Sequence, residues 1–168
     1  MPILTDDMKR VVREQGLSFV ATVCPDGTPN LSPKGTTAVW DDDHLVYVDL
    51  ASPRTTANLE ANPAVEVNVV DVVTRTGYRF KGRAEVYADG SIFDEVVAFY
   101  QRERQMDAGR VHAIVMIEVD SAAALVSPAY GLGLGRAEII DRSLRRLEQV
   151  YDLRIAPAGN GHDGFDAG

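Results

Sequence analysis

Apolar residues recur along the chain with two different periods. Alternation at every second position marks "AVEVNVVDV" and "GYRFKGRAEVY", the pattern of strands with one buried face, and the short apolar runs "LSFVATVC", "HLVYVDL" and "VHAIVMIEVD" also read as strands. Spacings of three and four mark "TDDMKRVVREQG", "SIFDEVVAFYQRERQ" and "RAEIIDRSLRRLEQVY", the pattern of helices with one apolar stripe. Between "LSFVATVC" and "HLVYVDL" lies a segment that fits neither pattern, "TPNLSPKGTTAVW". It reads as a strand interrupted by proline, lysine, glycine and hydroxyls.

The ends of these elements carry their own signals. Thr5 is the predicted cap of the first helix, Asp6 and Asp7 suit its positive end, and Gly16 can close it. Met8, Val11 and Val12 form its stripe. "PDG" predicts a hairpin after Cys24, and the acidic turn Asp41 to Asp43 leads into the next strand, so the first three strands are expected to form an antiparallel meander. "SPRTTANLEANP" predicts a short helix with Ser52 as cap, Pro53 at the first helical position and Asn62-Pro63 as its stop. In the next helix the apolar residues fall at 92, 96, 99 and 100, with Ser91 and Asp94 spaced as a capping box. The last helix places Ile140, Leu144, Leu147 and Tyr151 on one face, and the tail "APAGNGHDGFDAG" is expected to be mobile.

Six strands with helices at the connections and tight early hairpins predict a mainly β fold, an antiparallel barrel with flanking helices. A doubly wound parallel sheet would need a crossover helix between successive strands. The expected division is a barrel domain over residues 1–135 and a C-terminal helix and tail over 136–168.

Composition narrows the functions. The 168 residues carry 17 Lys and Arg against 25 Asp and Glu, a formal charge of −8. That balance argues against nucleic acid, whose binding rests on clustered cations, while local cations can still hold a small anion. One cysteine, Cys24, leaves no internal disulfide and no zinc spacing, and a buried structural thiol is expected. His44, His112 and His162 are too scattered for a metal site. No apolar run of membrane-spanning length and no signal segment is visible, so the expectation is a cytoplasmic protein with no membrane partner. "GLGLG" lacks the dinucleotide-binding spacing and reads as a connector.

Two polar clusters remain. A helix N-terminus favours anions, and that of "ASPRTTANL" adds Ser52, Arg54, Thr55 and Thr56. Arg can hold a phosphate bidentately while hydroxyls fill its remaining lone pairs; a plain capped helix with a surface arginine is the competing reading. In "SPKGTT", Lys34 supplies a second cation beside Ser32 and Thr36, and Gly35 permits close approach to the backbone; a strand edge at Pro33 is the competing reading. Convergence of the two clusters at one end of a small barrel favours phosphate. In "GYRFKG", alternation puts Tyr78 and Phe80 on one face and Arg79 and Lys81 on the other, either as a solvated face or as further ligand contacts.

The order "FVATVCPDGTPNLSPKGTT", "VYVDLASPRTTANLEANPAVEVNVVD", "YRFKGRAEVY" resembles the FMN-binding split-barrel proteins related to pyridoxamine 5′-phosphate oxidase. The resemblance runs over approximately residues 5–127 and is carried most clearly by Ser52, Arg54, Asn58, Asn62 and Pro63. It implies a six-stranded antiparallel split β-barrel and a homodimer with one flavin in each of two clefts at the subunit interface. Arg54 and Thr55 would then hold the FMN phosphate, with Lys34, Gly35, Thr36 and Ser32 along the phosphate and ring, and Arg79 or Lys81 nearby. Lys34 is the side chain expected to stabilise reduced flavin. The chain carries Pro53-Arg54 where the oxidases of that name commonly carry Arg-Lys after the serine, and it lacks their C-terminal substrate-binding stretch.

The leading expectation is therefore a flavin-dependent oxidoreductase acting on a small substrate, with the cofactor itself carrying the chemistry and no catalytic side chain. Two alternatives stand beside it: an F420-binding reductase on the same fold, and a flavin carrier or electron-transfer module.

Overall fold

The computed structural model describes residues 2–153, so the tail and His162 lie outside the described residues. One seven-stranded sheet, antiparallel throughout, curls into a half-barrel. Its strands are β1 (Ser18–Val23), β2 (Pro29–Lys34), β3 (Ala38–Val39), β4 (His44–Asp49), β5 (Ala64–Asp71), β6 (Thr76–Tyr87) and β7 (Ala113–Val126). They lie in the order β2-β1-β5-β6-β7-β4-β3. Helices α1 (Asp6–Gln15), α2 (Pro53–Ala61), α3 (Gly90–Arg104), α4 (Pro128–Gly131) and α5 (Arg136–Tyr151) complete the fold.

The seventh strand arises where the sequence predicted one interrupted strand. Gly35 to Thr37 break the segment, leaving β2 paired with β1 and the two-residue β3 paired with β4. The expected meander is thus two hairpins joined by a polar corner. Tyr100 fixes this corner, its buried hydroxyl donating to the carbonyls of Thr36 at 2.5 Å and Val46 at 3.1 Å. Arg104 holds it from outside through the carbonyls of Gly35 and Thr37.

Alternation sorts the strands as their patterns predict. Val20, Leu45, Tyr47, Val67, Phe80, Val115 and Ile117 face inward and form the main core with Val12 of α1 and Leu59 of α2. Residues of the opposite parity on β4 and β7, Val46, Val48 and Ile114, face outward and are covered by Val96, Val97 and Tyr100 of α3. Both faces of β4 are therefore apolar.

Thr5 caps α1 through its hydroxyl and Gly16 ends it in the left-handed region. Helix α3 departs from its predicted start: it begins at Gly90 after Asp89, with no side-chain cap. Ser91 thus lies inside the first turn and no capping box forms with Asp94.

The chain divides into two compact units, one of residues up to Asp71 together with Arg75–Ser127, the other of Val72–Thr74 with Pro128 onward. Within the second, Tyr130 donates to the carbonyl of Thr74 at 2.8 Å. Ile139 and Ser143 are the buried positions of α5, while Ile140, Leu144 and Leu147 are half-buried and Tyr151 is exposed. The buried face thus runs one residue ahead of the predicted stripe. No helix among the described residues is long and apolar enough to cross a membrane.

Candidate functional site

Strand β2 and the start of α2 meet, because the inward parity of β2 and the end of β4 point at the same corner. Lys34 is buried and turned into the half-barrel, and its ammonium donates to Ser32 Oγ at 2.6 Å and Ser52 Oγ at 2.8 Å. The ring of Tyr47 lies beneath it, 5.5 Å from Nζ. Burial pushes the Lys34 ammonium below the ordinary lysine range, and Asp49 draws it partly back. A buried cation that is less costly to neutralise with an anion results.

Asp49 is the residue that sequence reasoning missed. It ends β4 on the inward face, is buried, and takes the N–H groups of Ala51 and Ser52 at 3.1 and 2.6 Å and the Thr56 hydroxyl at 2.6 Å. It thereby fixes the turn that leads into α2, while the predicted cap Ser52 makes no side-chain cap bond and accepts from Lys34 instead. Strand parity puts Asp49 on the inward face with Leu45 and Tyr47, three residues before Ser52.

Thr55 and Asn58 are buried on the same helix, one turn apart. Asn58 donates to Thr22 Oγ at 3.0 Å and to Cys24 Sγ at 3.5 Å, and Asn30 donates to Thr22 and Thr55. Cys24 is half-buried where a buried thiol was expected. These residues bind β1, β2 and α2 into one polar seam.

Arg54 is exposed in the first turn of α2. With Cys24, Asp26, Thr28 and Asn58 it borders a shallow groove of about 400 Å³. Gly35 is also open, since a side chain there would meet nothing within 4 Å. Thr36 is committed to the backbone of Val48. Arg79 and Lys81 stand on the outer face of β6 as alternation predicted, both ion-paired with Glu66 of β5, at 2.9 and 3.7 Å. The structure thus brings Lys34 together with Ser32 and Ser52, ties Thr55 and Asn58 to β1 and β2 along the same helix, leaves Arg54 exposed beside the β1–β2 turn, and puts Arg79 and Lys81 on the other face of the sheet. No group of His, Cys, Asp and Glu able to hold a metal ion occurs among the described residues.

The family model for pyridoxamine 5′-phosphate oxidase matches residues 4–126. The chain belongs to the pyridoxamine 5′-phosphate oxidase family. A solved structure of HupZ from Group A Streptococcus is 32% identical, with 73% of this chain and 94% of that one covered and a TM-score of 0.66. An FMN-binding protein from Syntrophomonas wolfei subsp. wolfei shares 12% identity over 74% of this chain and 87% of its own, with a TM-score of 0.61. An F420 reductase shares 21% identity over 71% of this chain and 98% of its own, with a TM-score of 0.55. These last two are likenesses of fold. No curated protein matches the chain. Its membership in the family rests on the whole split-barrel region, and the corner of Lys34 and Ser52 lies inside the matched residues.

The donor set of this corner fits a phosphate monoester. Two cations, Lys34 and Arg54, and the hydroxyls of Ser32 and Ser52 lie at one helix start, and the ammonium has donated only two of its three protons to the serines. Asp49 occupies the Ala51 and Ser52 amides before the helix, Pro53 has no N–H, and the Thr55 and Thr56 amides go to the Ser52 carbonyl, so an incoming phosphate would have to use side chains more than the helix terminus itself.

Proposed function

We propose that the chain is a flavin mononucleotide-binding oxidoreductase of the pyridoxamine 5′-phosphate oxidase family that acts on a small substrate. The observation that carries this reading is the bond between Lys34 and Ser52, which joins the strand cluster to the helix cluster. In the proposal Arg54 grips the phosphate from the rim, Lys34 neutralises it from below, and Ser32 and Ser52 orient the lysine. Thr55 and Asn58 hold the helix start rigid against β1 and β2. Gly35 leaves room for the cofactor to approach the backbone. When bound, the flavin supplies the hydride or electron transfer, and the protein supplies position and field.

The functional unit in this reading is a homodimer. Phe19, Val23 and Leu31 are exposed side by side on the outer face of the β1–β2 hairpin, and a second copy using the same surface would cover them. Arg79 and Lys81 stand beyond this patch, because β5 joins β1 to β6 through Phe19 opposite Asn68 and Asn68 opposite Arg79. They would reach a cofactor at the boundary between subunits. Sedimentation tests the dimer: Leu31→Asp is expected to yield monomer, and an unaltered mass in that variant contradicts this face as the contact.

The cofactor reading is tested by titrating the apo-protein with FMN and, separately, with F420, followed by NAD(P)H oxidation against free cofactor. Saturable FMN binding with turnover above the free-flavin rate is expected. Saturation by F420 alone reassigns the cofactor, and FMN binding without turnover makes the protein a carrier.

A further inference from the structure

A second cleft, of about 530 Å³, lies on the outer face of the sheet beside the first turns of α3. Its floor follows from register. His44, Glu118 and Arg83 stand side by side across β4, β7 and β6, and the next outward row on β7 and β6 is Met116 and Glu85. Helix α3 covers the outward residues further along, Val46, Val48 and Ile114, and leaves this corner open. Trp40, held edge-on by Phe99 at 5.8 Å, forms one wall, and Ile92 of α3 forms another.

This cleft is remote from the phosphate corner. His44 begins β4 and Asp49 ends it, roughly 17 Å apart at about 3.3 Å per residue. Pro63, which also lines the cleft, follows the C-terminal end of α2, whereas Ser52 precedes its start.

The charges are unequal. Asp41, Glu85, Glu95 and Glu118 face the cleft against one guanidinium, Arg83. Asp41 is spent on His44, whose Nδ1 lies 2.8 and 2.9 Å from its two carboxylate oxygens, and on the N–H groups of Asp43 and His44. Glu85 accepts from the Tyr87 hydroxyl. Glu95 and Glu118 have no ion-pair partner among the described residues. The start of α3 adds a partial positive charge of about +0.5, which leaves the balance negative. A concave apolar wall sharpens such a field, and a cleft of this size suits a small molecule.

We propose that this cleft binds a small organic cation, an amine carried on a flat apolar body. The ammonium lies toward Glu95 and Glu118, and the apolar body packs on Trp40, Ile92 and Met116. The faces of Trp40 and Tyr87 attract the same charge. The inference stands apart from the flavin reading and uses none of its residues.

Trp40 is the chain's single tryptophan, so its selectively excited emission reports on this cleft. The test titrates the full chain at low salt with 2-phenylethylamine, 2-phenylethanol and phenylacetate, which share a body and differ in charge. Saturable change with the amine, about tenfold tighter than with the alcohol and weakest with the acid, is expected. Glu118→Gln should weaken the amine by roughly threefold or more, and Arg83→Gln should tighten it. Both positions are exposed, so neither change threatens the fold. Equal binding of the three compounds, no saturation by the amine, or insensitivity to both substitutions overturns the proposal.

Discussion

The ammonium of Lys34 donates to the hydroxyl of Ser52 across 2.8 Å, and eighteen residues of chain separate the two. This bond ties the edge strand β2 to the start of α2 and gives the corner a cation held in place before any ligand arrives. Preorganisation of that kind lowers the ordering cost of binding.

The cost of burying Lys34 is visible in its protonation. Burial holds the folded ammonium below the ordinary value of 10.5, against the pull of Asp49. The unfolded chain therefore binds more protons than the folded one just below 10.5, and stability rises with pH there. Lys34 opposes folding at neutral pH, and this opposition fades as pH climbs through its folded value toward 10.5. Urea denaturation of the wild-type and Lys34→Met proteins checks it: the difference in stability should move in favour of wild type as pH rises from about 7 to about 10. A difference that stays flat across that range contradicts a depressed lysine.

Asn58 is 2% exposed and supplies the donors that join α2 to β1. Replacing it with alanine removes those bonds and leaves a void beside Thr22. A loss of about 1–3 kcal/mol is expected from chemical denaturation of Asn58→Ala. An unchanged midpoint would mean that the seam between Thr22, Asn30 and Thr55 holds without it.

Gly82 sits at the irregularity between β6 and β7, where Lys81 opposes Ser121 and Gly82 opposes Val119. A Cβ at Gly82 would lie 2.0 Å from the carbonyl oxygen of Glu118, backbone that cannot swing aside. Gly82→Ala should destabilise by more than about 3 kcal/mol or prevent folding, since it forces the strand pair apart. Gly35→Ala, by contrast, faces open space and should leave the melting temperature within about a degree or two of wild type.

How legible this was in the sequence varies by element. Strands such as "AVEVNVVDV" and "GYRFKGRAEVY" were readable because alternation records burial directly. The break between β2 and β3 was foreshadowed by the polar run at Gly35 to Thr37, yet periodicity cannot say that Tyr100 and Arg104, on a helix far along the chain, hold those carbonyls. The start of α3 departs from the expectation because Ser91 satisfies a local rule, while the helix takes its cap position at Asp89, two residues earlier. In the candidate site, residue types pointed to Lys34, Ser52 and Arg54. The role of Asp49 was hidden, since it depends on β4 delivering a carboxylate to the amides of the following turn.

Arg54 is exposed and makes no ion pair or side-chain hydrogen bond among the described residues, so its removal separates binding from stability. Arg54→Ala should melt with the wild type while its affinity for FMN falls by about tenfold to a hundredfold, the worth of a charge-assisted bidentate contact.

The central claim is that Lys34, Ser52 and Arg54 form one phosphate site, and riboflavin, which is FMN without its phosphate, tests it most directly. Fluorescence titration of wild-type and Arg54→Ala apo-protein with both compounds should show FMN binding at least about a hundredfold tighter than riboflavin in the wild type. That ratio should shrink sharply in the variant. Equal affinity for FMN and riboflavin in the wild-type protein would contradict the claim.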